Sequence, residues 1–288
     1  AIKHAGIYHV STGTWTRTGG AVANFGPDTI YSNNAGSGYF SSAGGAGGFA
    51  PGSTNYDEGN VPGSTNTNNP GNRDEYNVNC IEIGYCDLGA AGTGGWELSF
   101  YNSYAPCEGV AVPDATVTTA NLPAAGGCWF VSFDLSGGGE FCLGADGGNG
   151  FDDTLELDTF GWSYRYTGTS GATAGFLLNG DPQSTDPSWV TGGNPIDGTN
   201  TYFGPASLCS ADEATGLLTQ DQWYLDDPVT VANSGCYFFG GYLNNNSCGG
   251  PLSGPYASWS MELQADTGSC AIFDTYCLSN PNSTGVNS

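Results

Sequence analysis

The sequence predicts an all-β protein: a disulfide-stapled antiparallel β-sandwich of jelly-roll type, with long Gly/Asn-rich loops and almost no helix. Three observations favour this fold. Short segments rich in Val, Thr, Tyr, Phe and Trp alternate with polar residues, as half-buried strands do. Glycine supplies 48 of the 288 residues, more than twice its usual share of about 7%, and separates these segments together with Pro and Asn. Lys and Arg, both good helix formers, occur only four times.

The alternation is clearest over residues 160–166. Four aromatic residues share one face of this segment, and Gly161, Ser163 and Arg165 share the other. Residues 128–135 follow a strict period of two, and residues 76–85 do so with a phase slip after Cys80. Further strands are predicted at residues 2–10, 20–25, 29–31, 96–101, 116–119, 140–143, 175–178, 236–243 and 256–263. Helical patterns do not alternate with these strands, so a parallel α/β sheet is not expected.

Composition divides the chain into four parts. We expect an N-terminal strand segment at residues 1–31, followed by a Gly/Ser/Asn-rich loop at residues 32–73. The main sandwich is predicted at residues 74–270, and residues 271–288 form a C-terminal tail.

The charge balance excludes two classes of partner. The chain carries 28 acidic residues against four basic ones, Lys3, Arg17, Arg73 and Arg165, for a net charge of -24. Such an excess repels phosphate backbones and anionic headgroups, so neither nucleic acid nor a membrane surface is an expected partner. No apolar run reaches the roughly 18 residues that a membrane-spanning helix needs.

Ten cysteines in this composition indicate disulfides formed in an oxidising compartment. We therefore expect a protein that is secreted to the extracellular space or the cell surface, with a signal peptide removed before Ala1. Connectivity does not follow from spacing alone, so the pairing is a hypothesis. The predicted pairs are Cys80–Cys86, Cys107–Cys209, Cys128–Cys142, Cys236–Cys248 and Cys270–Cys277.

One loop has the oxygen ligands that calcium prefers. Asp146, Asn149, Asp152 and Asp153 lie within eight residues, among glycines that let the backbone curl. Residues 147–152 match the start of the calcium-binding G-G-x-G-x-D nonapeptide, but Thr154 breaks it and only one copy is present, so the repeat fold is not expected. Calcium is the predicted cofactor, and the alternative is a solvated acidic turn.

Signatures of catalysis are absent from the sequence. A Ser-His-Asp arrangement would have to use His4 or His9, and no G-x-S-x-G elbow, P-loop or dinucleotide fingerprint occurs. Paired carboxylates for glycoside hydrolysis remain open, because several acids lie on or beside predicted strands. These candidates are Glu82, Glu97, Glu140, Glu156 and Glu262. The alternative is a set of solvated polar faces, and the sequence selects no pair, so we do not expect an enzyme.

Two tryptophans lie in loop-like surroundings and are candidates for sugar binding. Trp189 and Trp223 are flanked by Asp, Gln and Ser, and a flat indole beside polar groups is typical of lectin-like surfaces. The alternative, which is the commoner role of Trp, is a loop anchor packed onto the sandwich.

The N-terminal strand is a candidate assembly element. Ile2, Ile7, Tyr8 and Val10 give it apolar residues able to pack when the strand is added to the open sheet edge of a neighbouring subunit. The alternative is that this strand pairs within its own domain.

The C-terminal segment Tyr276–Gly285 resembles a Y-C-x-x-x-P-N-S-T-G segment of uncharacterised secreted β-rich proteins of environmental bacteria. The resemblance covers about ten residues and implies no activity. It implies that a further small domain follows the chain.

The predicted function is that of a non-catalytic, secreted structural protein, a subunit of a cell-surface or extracellular filament assembly. Its expected partner is then a second copy of itself. The alternative is a calcium-assisted, lectin-like module that binds a surface glycan, and a glycoside hydrolase comes third.

Overall fold

The computed structural model describes residues 2–16, 28–33, 39–40, 52–62, 76–89, 92–102, 109–124, 126–143, 157–169, 174–180, 222–238 and 257–266. In this part of the chain, sixteen strands account for nearly all regular structure, beside one 3₁₀ turn at Val231–Asn233. The strands are β1 (Lys3–His9), β2 (Thr14–Thr16), β3 (Asp28–Asn33), β4 (Tyr39–Phe40), β5 (Thr54–Pro62), β6 (Tyr76–Asp87), β7 (Trp96–Tyr101), β8 (Ala115–Thr118), β9 (Gly127–Asp134), β10 (Phe141–Leu143), β11 (Leu157–Tyr166), β12 (Ala174–Gly180), β13 (Gln222–Asp226), β14 (Gly235–Phe238), β15 (Ala257–Trp259) and β16 (Met261–Asp266).

These strands form two sheets. The first has the order β15-β12-β6-β9-β1-β2, with β10 and β16 also paired to β6, β3 to β16 and β4 to β12. The second has the order β14-β13-β5-β11-β7-β8. All pairings are antiparallel except that of β1 with β9, which is parallel. The predicted all-β, antiparallel-rich sandwich with a disulfide is confirmed.

The core lies between the two sheets and is largely aromatic. Phe160, Trp162 and Tyr164 of β11 are buried, as their shared face predicted. They meet aromatic rings of the first sheet: Tyr164 stacks on Phe176 with ring centroids 4.2 Å apart, and Trp162 meets Trp259 edge to face at 6.3 Å. Such pairs add to the free energy gained from burial alone.

Strand β6 is the centre of the first sheet, and all twelve of its residues are buried. The predicted phase slip is a bulge: Gln264 pairs with Cys80, but Ala265 pairs with Val78, so Asn79 has no opposite residue in β16. Beyond the bulge, Ile81 and Ile83 face the core. The outer face therefore receives the polar residues of β6.

The structure corrects the loop that was predicted over residues 32–73. Within it, β5 is an interior strand of the second sheet, paired with β11 on one side and β13 on the other. Its sequence lacks apolar alternation. Its place in the sheet therefore depends more on backbone hydrogen bonds to β11 and β13 than on the burial of alternate side chains. At Gly59 the inner face has no room, because a Cβ there would lie 2.6 Å from the ring of Tyr31 and 2.7 Å from that of Phe160.

Two predicted disulfides are wrong. Cys86 bonds to Cys128, its directly opposite residue in the β6–β9 pair, with Cα atoms 3.9 Å apart. Cys80 is a free, buried thiol. Six residues along one strand separate it from Cys86 by about 20 Å, which is too far for a disulfide between them. Cys80–Cys86 and Cys128–Cys142 therefore cannot form.

The other three predicted pairs remain predictions, since each includes residues outside the described part of the chain. Cys142 and Cys236 are each disulfide-bonded.

Within the described residues, no helix is long and apolar enough to span a bilayer.

Candidate functional site

A cleft opens at the edge of the first sheet. Strands β1, β2 and β9 supply one wall, and residues 92 and 121–124, which lead into and out of the second sheet, supply the other. Its volume is about 600 Å³, which is within the range of small-molecule sites. The lining residues are Lys3, His4, Ala5, Trp15, Gly92, Asn121, Leu122, Pro123, Ala124 and Trp129.

Two indole rings in this cleft are fixed by packing. Trp15 lies opposite Tyr8 in the β1–β2 pair, and their rings meet edge to face with centroids 5.3 Å apart. Trp129 lies opposite Lys3 in the parallel β1–β9 pair and packs against Tyr85 at 5.6 Å. Both rings are held by neighbouring aromatic residues, but only Trp15 is partly exposed, whereas Trp129 is buried with 9% of its surface exposed. Trp15 therefore presents most of the apolar surface that a ligand can reach.

Contacts with the core fix the wall of the cleft that residues 121–124 form. The Tyr85 hydroxyl donates to the carbonyl oxygen of Pro123 at 2.8 Å, and Leu122 forms a bridge to Gly94. Asn121 has φ 57°, and it is the one residue other than glycine with positive φ in the described part of the chain. Asn tolerates this conformation better than most residues, and here it places an exposed side-chain amide at the rim of the cleft.

A second group of polar residues lies on the outer face of the first sheet. Glu82 of β6 and Glu262 of β16 are directly opposite each other, so their Cβ atoms lie about 4.5–5.5 Å apart. Ser132 Oγ donates to Glu82 Oε2 at 3.1 Å, and Gln264 Nε2 donates to Glu262 Oε1 at 2.8 Å. Both carboxyl groups are buried, with Glu82 only 4% and Glu262 only 9% exposed.

Burial changes the acidity of this group. Desolvation, and then the charge of Glu262, raise the pKa of Glu82 from 4.5 to about 7, against the opposing effect of the Ser132 hydrogen bond. Desolvation, followed by the nearby carboxylates of Glu82 and Glu262, raises the pKa of the Cys80 thiol well above its usual range. Cys80 therefore remains a protonated, unreactive thiol at neutral pH.

The pKa of Asp134, which contacts His9, shifts in the opposite direction to that of Glu82. Burial opposes ionisation of Asp134, but hydrogen bonds from Ser136 and His9 outweigh it and lower the pKa of this carboxyl. His9 Nδ1 lies 2.6 Å from Asp134 Oδ2, and His9 Nε2 lies 2.8 Å from Thr16 Oγ1. These contacts connect β9, β1 and β2 and orient the imidazole ring.

The structure separates the five candidate glutamates. It brings Glu82 and Glu262 together, whereas Glu97 pairs with Arg165, whose Nη2 lies 2.7 Å from Oε2. Glu140 closes a turn by accepting hydrogen bonds from the backbone N–H groups of Gly137 and Gly138. Glu156 lies outside the described residues.

The predicted assembly strand is β1, and it is paired on both sides within the chain. β9 lies along one edge and β2 along the other, while Tyr8 is buried in the core. Ile7 belongs to the same strand, and Ile2 and Val10 lie next to its ends. This pairing matches the alternative to assembly that the sequence left open, in which the strand pairs within its own domain.

Trp223, a predicted sugar contact, lies on strand β13 and not in a loop. It is partly buried and packs edge to face against Trp259, with ring centroids 5.2 Å apart.

The other predicted sugar contact, Trp189, lies outside the described residues. The same is true of the calcium candidates Asp146, Asn149, Asp152 and Asp153 and of the C-terminal segment. In the part of the chain that is described, no group of three His, Cys, Asp or Glu side chains is arranged to hold a metal ion.

No sequence pattern indicated the cleft. Its residues come from five separate segments, and only the pairing of β1 with β9 brings Lys3 next to Trp129. One local signal was present: Trp15 stands between two threonines just after a turn, which is a short strand pattern.

No protein-family profile, curated protein or solved structure matches this chain.

Proposed function

We propose that this chain is a secreted carbohydrate-binding protein whose sugar site is the cleft between β1, β2, β9 and residues 121–124. The observation that supports it most is the partly exposed indole of Trp15, fixed by packing on Tyr8, at a cleft of about 600 Å³ that the edge of the buried Trp129 also lines. Sugar rings present flat C–H faces, which stack on indole rings, and hydroxyl groups, which need directional hydrogen bonds.

The polar groups required for those hydrogen bonds are also present. Asn121 offers an amide donor and acceptor, and Lys3 offers an ammonium group. A rigid scaffold also favours binding, because little side-chain entropy is lost when the ligand is bound. Secretion fits the Cys86–Cys128 disulfide and the acidic composition.

Glycoside hydrolysis has weaker support. Glu82 and Glu262 are neighbours across the β6–β16 pair, and a retaining enzyme needs two adjacent carboxyl groups. Both are buried, however, and a saccharide would reach them only after the outer face of the sheet is uncovered. Assembly into a filament remains a prediction. Electron microscopy of the purified protein would test it directly.

Binding to a glycan array, followed by titration calorimetry of the best ligand, tests the proposal. Trp15→Ala removes one stacking surface and should weaken binding at least tenfold, which corresponds to about 1.4 kcal/mol. Asn121→Gly keeps the positive φ while removing the amide, and should weaken binding without unfolding the protein.

Trp223→Ala is the matched control, because it removes a partly buried tryptophan from the second sheet. It should leave the affinity unchanged, provided that circular dichroism shows a folded protein. Binding that is lost in Trp223→Ala but kept in Trp15→Ala would place the sugar site at Trp223 instead. Repeating the array with EDTA tests whether calcium assists binding, as the residues from Asp146 to Asp153 predict.

A further inference from the structure

We propose that the cleft selects saccharides that carry an anionic group, either a carboxylate or a sulfate. This inference rests on the proposed function and specifies its ligand class. Charge is distributed differently in the described lining of the cleft and in the rest of the chain.

Among the described residues, the lining of the cleft contains a cation and no acid. Acidic residues outnumber basic ones by 28 to 4 in the whole chain, yet the described lining includes Lys3 and neither Asp nor Glu. Lys3 is exposed, and the described residues provide it with no salt bridge. Its ammonium group is thus available to a ligand.

The backbone of β1 places Lys3 and His4 on opposite faces of the sheet. Successive side chains of a regular strand point to opposite faces, and these two residues pair with the consecutive residues Trp129 and Phe130 before the register shifts between His4 and Gly6. Lys3 therefore shares a face with Trp129, which lines the cleft with it.

His4 lies on the other face of the sheet, where its ring stacks on Phe130 with centroids 5.5 Å apart and an interplanar angle of 28°. The ammonium group of Lys3, with three N–H donors, therefore forms the anion-binding part of the cleft.

Distant acids do not cancel this local preference. At physiological ionic strength the Debye length is about 8 Å, so charges farther away are largely screened. The net charge of -24 slows the approach of an anionic ligand, but the groups in direct contact determine its affinity. The neutral form of the same saccharide should therefore bind more weakly than the anionic form.

Titration calorimetry at 0.15 M salt with three probes tests the inference. The probes are an oligogalacturonate, its methyl ester, which is neutral, and a sulfated galactan oligosaccharide. The free acid should bind about three- to tenfold more tightly than the ester, the range expected for one charged contact in a partly exposed site. The sulfated probe shows whether sulfate replaces carboxylate.

Lys3→Gln should remove the difference between acid and ester, and Lys3→Arg should keep it. Val231→Asp is the charge-matched control: it lowers the net charge by the same amount, but at an exposed turn beyond the opposite edge of the second sheet. It should change the affinity for the acid less than twofold.

The outcomes separate the two proposals. Equal affinity for acid and ester, unchanged in Lys3→Gln, overturns the anionic preference and leaves the sugar site intact. A difference that survives Lys3→Gln but disappears in Val231→Asp also overturns it. If none of the three probes binds and the glycan array is empty as well, the proposed function fails, and this inference fails with it.

Discussion

The outer faces of the two sheets present the same residue type in opposite surroundings. In the first sheet, Glu82 lies opposite Glu262 and both are buried. In the second sheet, Glu97 lies opposite Arg165, and their side chains are 30% and 41% exposed. Each glutamate belongs to an alternating strand, so its own sequence does not distinguish it. Burial first, and then the facing Glu262, disfavour the charged form of Glu82, whereas Glu97 faces a guanidinium group and is partly exposed.

The first sheet also carries the Cys86–Cys128 disulfide. Cys86 lies on the same face as Glu82, two alternations further along β6, and this bond joins β6 to β9. The second sheet includes Cys236 of β14, which is also disulfide-bonded, as well as side-chain contacts such as the 2.8 Å hydrogen bond between Tyr101 and Ser163 and the Glu97–Arg165 pair.

Removing the disulfide should have the largest effect. The double variant Cys86→Ala, Cys128→Ala frees a loop of 42 residues and should lower the free energy of unfolding by about 2–5 kcal/mol. Urea denaturation measures the loss. Cys80→Ala is the matched control, because it removes a buried sulfur without releasing a cross-link. An equal loss in both variants would mean that packing, and not the cross-link, stabilises this sheet.

Neutralising the buried glutamate should produce a gain that depends on pH. Because the pKa of Glu82 rises from 4.5 to about 7 on folding, its contribution to stability is fully present below pH 4.5 and is lost as the pH rises through 7. Glu82→Gln should therefore be more stable than the parent by up to about 3 kcal/mol at pH 8. At pH 4 the two proteins should be nearly equal.

Thermal unfolding of both proteins across this pH range measures the difference. A parent whose stability rises between pH 4.5 and 7 more than that of Glu82→Gln would contradict the assigned pKa. Glu262→Gln should reproduce part of the gain, because it removes the facing charge.

Breaking the ion pair of the second sheet should have the smallest effect. Glu97→Gln should lower stability by less than about 1 kcal/mol, because both side chains are partly exposed and the surrounding water screens them. The loss should shrink further in 1 M salt. A loss larger than that of the disulfide variant would reverse the comparison between the two sheets.

Much of the architecture follows from local patterns. The aromatic face of β11, the phase slip of β6 and the strands at residues 96–101 and 128–135 were all predicted, because each depends on the alternation within one segment. Strand β5 was missed, since Thr, Asn, Asp and Gly dominate it and its pairing partners lie about 100 and 170 residues away.

The candidate site was much less predictable. Glu82 and Glu262 were among five candidate acids, but nothing local indicates that they are opposite each other. For the cleft, Lys3 and Trp129 come together only through a parallel pairing of strands that are far apart in the chain.

The sequence by itself determined the fold class, the aromatic core, the strongly acidic charge and the presence of disulfides, because composition and a two-residue period act locally. Tertiary structure alone decided strand register, and with it the Cys86–Cys128 bond, the facing carboxyl groups and the lining of the cleft. The physical reason is that a shift of one residue in pairing exchanges the two faces of a strand, while the free energy that fixes the register comes from contacts between distant segments.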